Sequence, residues 1–536
     1  TIDVTDPNNP LHLYSILNDP ISEQILRVDH NANLFQYNYS SSRFNIKNFV
    51  EVENAENNIG LSNACNASGS TSCYQSNIWS LNSGFDTTID YKIFANGRDV
   101  TASTTVANVN GIIKFTFNKS YKFDASGNSK SDSINITQIG SLDSAGAEYD
   151  YRYLGETWGS PRVFRMPNNG AGDNDIMDDE YVAVLSGGYG NGAPSIGSNV
   201  YIIDWLNGKV KKEIKIEDKS YDASSRNDIT NSIPSSPIVI NADAANSNYS
   251  GAIVYVNDLE GKITKINLTN MDETPEYDPT TNTFSTTTKK VNLYDKYVMF
   301  DTMASSEINN RYMFHSMDAG IGVNTKNLWL FGGTGNLMNL EDQQVPQPSV
   351  RVKNVMFGVK DYTFPNFGTT SNSQSPDNFL KCKDTTRDNT GANCPDIGDR
   401  GWYIKLDKQK KVVNEPTLKG NVVYYPLYRP ANYYDIMKGN SVSGTLNKGC
   451  GGGSAFICSV DAECGTNNSS NLGNIKQGEQ CLYVGTGILS KLVVFGLNLY
   501  ANISGESTNK DKDDIVVIQA FTEDVQNYRT SWRENY

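Results

Sequence analysis

The sequence predicts an all-β chain: a β-propeller carrying a β-rich insertion. Three observations predict it. Strand and turn formers dominate, with 30 Tyr and 44 Gly beside abundant Asn, Ser and Thr. That composition suits pleated strands joined by tight turns. Short runs of β-branched and aromatic residues recur, whereas long apolar stretches of period 3.6 do not. Finally, one unit repeats: an apolar strand, a turn with Gly, Asn or Asp, then a second strand. Recurrence of such units every few tens of residues points to radial repetition.

The repeats come in this order: ILRVDHNANLFQYNY (25–39), YVAVLSGGYGNG (181–192), VYIIDWLNGKVKK (200–212), IVYVNDLEGKITKINL (253–268), LWLFGGTGNL (328–337), GWYIKLDKQKKVV (401–413) and CLYVGTGIL (481–489). Asn207-Gly208 and Glu260-Gly261 supply the positive-φ residues expected of two-residue hairpins. Pro161, Pro237 and Pro416 each precede or open an apolar strand, where a missing N–H is tolerated. The glycines of 332–335 and 485–487 read as sites of close strand packing. Long polar insertions break the spacing. The expected organisation is propeller strands in 1–39, a β-rich insertion in 40–150 and propeller blades in 151–536. Residues 270–290 and 366–400 read as surface loops.

The 536-residue chain is long enough for a large core. With 46 Lys+Arg against 60 Asp+Glu its net charge is −14. Such a surface repels phosphate backbones and anionic lipid, so nucleic acid is not an expected partner. No run of 18 apolar residues exists, so no transmembrane helix is expected. Three scattered histidines, His12, His30 and His315, leave little material for a multi-His metal site. The chain begins at Thr1 without a leader, and is expected to have lost a signal peptide or to be part of a longer protein.

The eight cysteines are Cys65, Cys73, Cys382, Cys394, Cys450, Cys458, Cys464 and Cys481. None forms a C-x-x-C pair, which argues against zinc ribbons and dithiol redox motifs. Cys65 with Cys73, and Cys382 with Cys394, bracket polar loops, so disulfides in an oxidising compartment are expected. The pairing of the last four stays open. Each short closed loop is worth about 2–3 kcal/mol by chain entropy.

Several segments, in collinear order, resemble the C-terminal propeller of the PilY1/PilC family of type IV pilus tip-associated proteins. They are TIDVTDPNNP (1–10), LGETWGSPRVFR (154–165), YVAVLSGGYGNG, SSPIVI with GAIVYVNDLEGKITKINL, LWLFGGTGNL, GWYIKL with VVNEPTLKGNVVYYPLYRP, GCGGGSAF (449–456) and YRTSWRENY (528–536). The resemblance implies a secreted, cell-surface protein at the pilus tip or outer membrane. It implies an adhesin and pilus biogenesis factor that acts by binding pilins or minor pilins and a host or abiotic surface. Earlier blades are expected upstream of Thr1. Two rival readings remain: a quinoprotein-like propeller dehydrogenase, although no adjacent Cys-Cys pair occurs, and a non-adhesive structural protein of the cell envelope.

The family also implies calcium, held in a D-x-D-x-N-x-x-x-D loop. The matching stretch, 241–258, offers Asp243, Asn246 and Asn248 but has Ala252 where an acidic ligand should close the cage. Calcium takes six to eight oxygens, so this loop reads as eroded. A second candidate is Asp173, Asp175, Asp178 and Asp179, four carboxylates in seven residues. No nucleophile elbow, zinc-protease or phosphate-loop motif appears, and no catalytic residue is assigned. Tyr424, Tyr425, Tyr428, Tyr433 and Tyr434 form a tyrosine-rich segment that reads either as a contact surface or as strand packing. Trp532 and Arg533 read as locking a final strand.

Overall fold

The structure is a computed structural model. It describes residues 2–3, 11–12, 14–19, 24–29, 33–45, 51–53, 56–57, 73–81, 85–88, 91–95, 98–124, 134–142, 147–170, 172–173, 175–190, 196–216, 231–241, 250–278, 283–302, 311–338, 340, 354–368, 400–407, 409–430, 453–477, 479–508 and 515–519. Trp532 and Arg533 lie outside them. The chain is all-β, in antiparallel sheets joined by turns and short 3-10 segments. It divides into two compact units: Thr1–Thr157 with Gly187–Ser232, and Trp158–Ser186 with Ile233–Tyr536.

The first unit holds two large sheets. One runs Arg98–Asp99, Tyr91–Ala95, Ile134–Leu142, Leu34–Asn45, Gln24–Asp29 and Tyr14–Asp19. The other runs Thr104–Val109, Ile112–Asp124 and Cys73–Leu81, then Glu51–Glu53 and Glu56–Asn57. Alternation puts Trp79, Phe115, Phe117 and Tyr121 of one sheet into a common core with Ile93, Ile134 and Ile136 of the other. The boundary expected at residue 40 falls within the strand Leu34–Asn45. A tight two-residue turn of this unit is Asn110-Gly111, both at positive φ, closing the pair Val109–Ile112. Asn-Gly is the sequence such a turn favours. The strands Asn199–Asp204 and Val210–Lys215, the last two of a four-stranded antiparallel sheet, belong to the same unit.

The second unit contains consecutive antiparallel meanders, the form of propeller blades. Sheet one is Ile238–Ile240, Gly251–Asn257, Lys262–Thr269 and Lys296–Asp301. Sheet two is Asp318–Ile321, Leu328–Gly333, Val355–Asp361 and Gly401–Lys405. Sheet three is Lys411–Val412 with Thr417–Lys419, then Val422–Arg429, Ser454–Asp461 and Leu482–Thr486. A three-stranded sheet follows: Val493–Phe495, Asn498–Asn502 and Ile515–Gln519. Pro161, Pro237 and Pro416 stand immediately before the strands Arg162–Met166, Ile238–Ile240 and Thr417–Lys419, as expected.

Each sheet packs on the next in chain order. Ile253, Tyr255 and Ile263 of sheet one meet Leu328, Leu330 and Phe357 of sheet two. Trp329, Phe331 and Trp402 of sheet two meet Val423, Tyr425 and Phe456 of sheet three. Ala455, Ile457 and Val484 of sheet three meet Leu499, Ala501 and Val516 of the last sheet. Gly333 permits the approach of sheets two and three, since a Cβ there would sit 2.3 Å from Val412, whereas Gly332 makes room for its cross-strand neighbour Phe357, 2.6 Å from where its Cβ would be.

Three expectations are corrected. The turns at Gly208 and Gly261 are longer than two residues. Lys262 C=O accepts from Asp258 N–H across a three-residue loop, and Lys209 C=O accepts from Asp204 N–H across four. Glycine still takes the positive-φ position in both. Residues 401–413 are not a hairpin. Gly401–Lys405 closes sheet two, and Lys411–Val412 begins sheet three. Residues 273–290 are not a loop but a hairpin, Glu273–Asp278 with Thr283–Lys290.

Polar ties cross these apolar seams. Lys265 is fully buried and donates to Asp361 at 2.6 Å, Thr363 Oγ1 at 2.9 Å and the Asn366 carbonyl at 3.0 Å. The Tyr255 hydroxyl donates to the same carboxylate at 2.6 Å. All three ammonium donors are therefore used. Burial pulls the Lys265 ammonium below its usual range, and Asp361 opposes that pull. Between sheets two and three, Glu463 accepts from the N–H groups of Asn324 and Thr325, and Trp402 Nε1–H donates to the Ala462 carbonyl.

Removing one member of such a pair strands the other charge in the core, at about 3–5 kcal/mol. Lys265→Ala is therefore expected to lower unfolding free energy by at least ~3 kcal/mol. Lys265→Met with Asp361→Leu should recover much of that loss. Denaturant titration of the three proteins checks it, and near-equal midpoints for wild type and Lys265→Ala would contradict it.

Candidate binding surface

A stacked aromatic patch with an exposed tryptophan opens the second unit at its first residue. Trp158 leads into the strand Arg162–Met166. The chain there lies flat on its neighbour, because Gly159 has no side chain: a Cβ would sit 2.8 Å from the Ser235 carbonyl oxygen. The Ser160 N–H donates to Ser236 Oγ at 2.8 Å, and the Ser236 N–H donates to Ser316 Oγ at 2.8 Å. These bonds tie three segments, 158–162, 235–237 and 312–317, into one patch.

Three rings stack on this patch. Trp158 lies on Phe314 with centroids 6.2 Å apart and planes 22° from parallel. Phe314 lies on Tyr312 at 6.0 Å and 28°. Phe314 is buried, whereas Trp158 is 45% exposed. The indole is thus backed by a buried ring, and serine hydroxyls line its rim. Flat aromatic area with polar groups beside it is the chemistry of contact residues. His315, next in the chain, is held neutral: burial pushes its imidazole down to about 4. Its Nε2 has no hydrogen-bond partner, while its carbonyl accepts from Asn257 Nδ2 at 3.1 Å.

The tyrosine-rich segment is not a surface. Tyr424, Tyr425 and Tyr428 lie on the strand Val422–Arg429 and are buried, at 1%, 0% and 4% exposure. The Tyr425 hydroxyl donates to the Phe357 carbonyl at 2.8 Å. Burial drives the Tyr425 phenol well above its usual range and Tyr424 upward as well. Packing, the second of the two readings, holds for these three. Tyr433 and Tyr434 lie outside the described residues.

The acidic loop spends its carboxylates on itself. Asp173 accepts from the N–H groups of Asp175 at 3.0 Å and Asn169 at 3.3 Å. Asp175 accepts from Met177 N–H at 3.0 Å, and Asp178 accepts from Asn169 Nδ2 at 3.2 Å. Asp179 turns to Ser250 Oγ and, at 3.8 Å, to Arg165. The Asp178 carboxyl is raised, by desolvation first and then by Asp173, Asp175 and Asp179. Among the described residues no three His, Cys, Asp or Glu side chains are grouped to hold a metal ion. Asp243, Asn246 and Asn248 lie outside the described residues.

Cys458 and Cys481 form a disulfide, with Cα atoms 4.5 Å apart. It joins neighbouring strands of sheet three inside the apolar core, both residues at 1% exposure, rather than stapling a polar loop. Cys464 is disulfide-bonded as well. Cys65, Cys382, Cys394 and Cys450 lie outside the described residues, as does the Cys73 side chain.

Sequence reasoning passed over Trp158, although it stands within a quoted segment. A tryptophan flanked by Glu, Thr, Gly and Ser, with no apolar neighbour to share a core, was the available signal. The buried Lys262 was also passed over. Burial would lower its ammonium, but Glu260, Asp258 and Asp301 outweigh this and hold it above the usual lysine range.

No sequence-family description matches the chain, and no curated protein matches it. Among solved structures it is similar to the C-terminal domain of Pseudomonas aeruginosa PilY1, with a TM-score of 0.41 and 13% identity over 94% of this chain and 92% of that one. It is also similar to the Drosophila Semaphorin 1a extracellular domains 1-2, with a TM-score of 0.21 and 9% identity over 67% of this chain and 54% of that one. A Synechocystis apocarotenoid oxygenase mutant gives a TM-score of 0.26 and 10% identity over 75% and 69%.

Non-reduced peptide mapping should recover a Cys458–Cys481 cross-linked peptide, and also Cys65–Cys73 and Cys382–Cys394. Alkylation of most cysteines in the native protein without reductant would contradict this. Replacing Cys458 and Cys481 together by Ala is expected to cost about 2–4 kcal/mol.

Proposed function

We propose that this chain is the binding part of an extracellular, type IV pilus-associated protein, located at or near the pilus tip and acting without turnover. The observation that carries the reading is the collinear order of the segments that resemble the PilY1/PilC family. Those segments occupy the strands Arg162–Met166, Glu180–Ser186, Gly251–Asn257, Lys262–Thr269, Leu328–Gly333, Gly401–Lys405 and Val422–Arg429. A shared order of strand-borne segments is hard to produce by composition alone. An acidic surface and cystine cross-links are consistent with life outside the cytosol. No helix of the described residues is long and apolar enough to cross a membrane.

In this reading the Trp158 patch contacts the partner, and pilins or minor pilins anchor the protein to the fibre. Deleting the gene should reduce surface pili, and blocking pilus retraction should partly restore them. Normal piliation with normal attachment in the deletion strain would contradict the proposal. Trp158→Ala, folded and displayed on normal numbers of pili, should lower attachment several-fold. An unchanged attachment would remove the patch from the reading while leaving the pilus role standing.

Calcium has a minor place. Affinity follows the number of charged ligands and the rigidity of the loop. Any binding is therefore expected at Asp173–Asp179 rather than at 241–252. Calorimetry should show binding lost in Asp175→Ala and kept in Asp243→Ala; the reverse pattern would restore the eroded loop.

A further inference from the structure

A polar cluster in the first unit serves no part of the binding surface. Glu213, on the strand Val210–Lys215, stands directly opposite Tyr201 on Asn199–Asp204. Asn199 Nδ2–H donates to Glu213 Oε1. From the segment 147–156, Asp150 reaches in, paired with Arg152 at 3.1 Å. The Arg152 guanidinium is thus paired with Asp150 and acts on Glu213 only through space. On the strand of Glu213 itself, Lys211 and Lys215 lie two residues to either side and are exposed. Elsewhere the segment is fastened to the same hairpin by Tyr151, whose hydroxyl donates to the Gly208 carbonyl at 2.8 Å, and by Glu148, paired with Lys209 at 2.7 Å.

One buried acceptor in the cluster has no hydrogen-bond partner: Asn199 Oδ1. Asn199 is 4% exposed, so water does not readily serve it. A buried acceptor left unmade is costly. An ionised Glu213 can only accept, so it satisfies Asn199 Nδ2 and leaves Oδ1 empty. A protonated Glu213 can do both. Its O–H donates to Asn199 Oδ1 while its other oxygen accepts from Nδ2, giving two parallel bonds between acid and amide. The same proton removes the repulsion between Glu213 and Asp150.

We propose that Glu213 is a proton-operated latch: its protonation closes the acid–amide pair with Asn199 within the hairpin and removes its repulsion of Asp150, so the 147–156 segment stays on the hairpin, and loss of the proton restores that repulsion and releases the segment. The environment agrees. Burial first, and then the Asp150 charge, push the Glu213 carboxyl up to about 7, against the pull of Asn199, Arg152 and Tyr201. Burial also raises Asp150, opposed by Arg152. Tyr201 stays protonated, its phenol well above the usual range for the same reason.

The sign follows from linkage. The latched state holds the proton more tightly than an open state in which Glu213 has its ordinary value of 4.5. Latching is full below that value, weakens as pH rises, and levels off above about 7. Between pH 5 and 8 the opening equilibrium should increase roughly 50–100-fold.

Native-state hydrogen exchange on the full chain reads this. Amides of 147–156, corrected for intrinsic rates, should lose protection by that factor from pH 5 to 8. Glu213→Gln carries a permanent donor and acceptor, so its protection at pH 8 should match the wild type at pH 5. Should that variant misfold, Asp150→Asn should shrink the pH response and move it to lower pH. Protection independent of pH in the wild type, or a full response in Glu213→Gln, would overturn the latch. Calcium restoring protection at pH 8 would overturn it too, by assigning the cluster to a cation.

Discussion

The second unit depends on one buried ion pair more than on any single apolar contact. Lys265 and Asp361 belong to different sheets, and between them they hold Tyr255, Thr363 and the backbone at Asn366. Apolar contacts are non-directional and do not by themselves prescribe one register between two sheets. A lysine with all its donors committed does, because every displacement leaves a buried charge short of a partner. Tyr297 extends the same junction by donating to the Phe367 carbonyl at 3.1 Å. Sheets two and three repeat the device with Glu463 and Trp402. Register between sheets is thus set by a few directional bonds laid over a non-directional apolar seam.

The two units carry opposite pH responses. In the first, a carboxyl is raised, so its contribution to stability is present in acid and fades as pH rises. In the second, His315 is lowered to about 4, so the folded form disfavours the imidazolium. Its contribution is present above about 6.5 and is lost as pH falls toward 4. Both groups owe their shift first to desolvation, which penalises whichever form carries charge. A chain exposed to changing pH therefore meets one unit tightening where the other loosens.

Much of the fold was legible because prolines and glycines mark edges by their own chemistry. Pro161, Pro237 and Pro416 gave strand starts to the residue. Gly208 and Gly261 gave the turns but not their lengths, since a positive φ is needed in several loop types. The hairpin at 273–290 was invisible because Thr283–Lys290 is solvated on both faces, so no alternation betrays it. Residues 401–413 misled because a short turn joins strands of different sheets, which local pattern cannot distinguish from a hairpin. The candidate site was less legible. Burial of Tyr424, Tyr425 and Tyr428 depends on the neighbouring sheet, and exposure of Trp158 on what stacks beneath it. Neither is a property of the local string.

Lysines are the residues that solvent reagents normally find first. Here Lys262, Lys265, Lys410 and Lys411 are 2% exposed or less. An amine-acylating reagent should therefore pass over them in the folded protein while modifying surface lysines such as Lys290. Once acylated, Lys265 loses its charge and cannot return to Asp361. The slow appearance of modified Lys265 would then count openings of the seam between sheets one and two, event by event, in a chain whose surface chemistry had long since gone to completion.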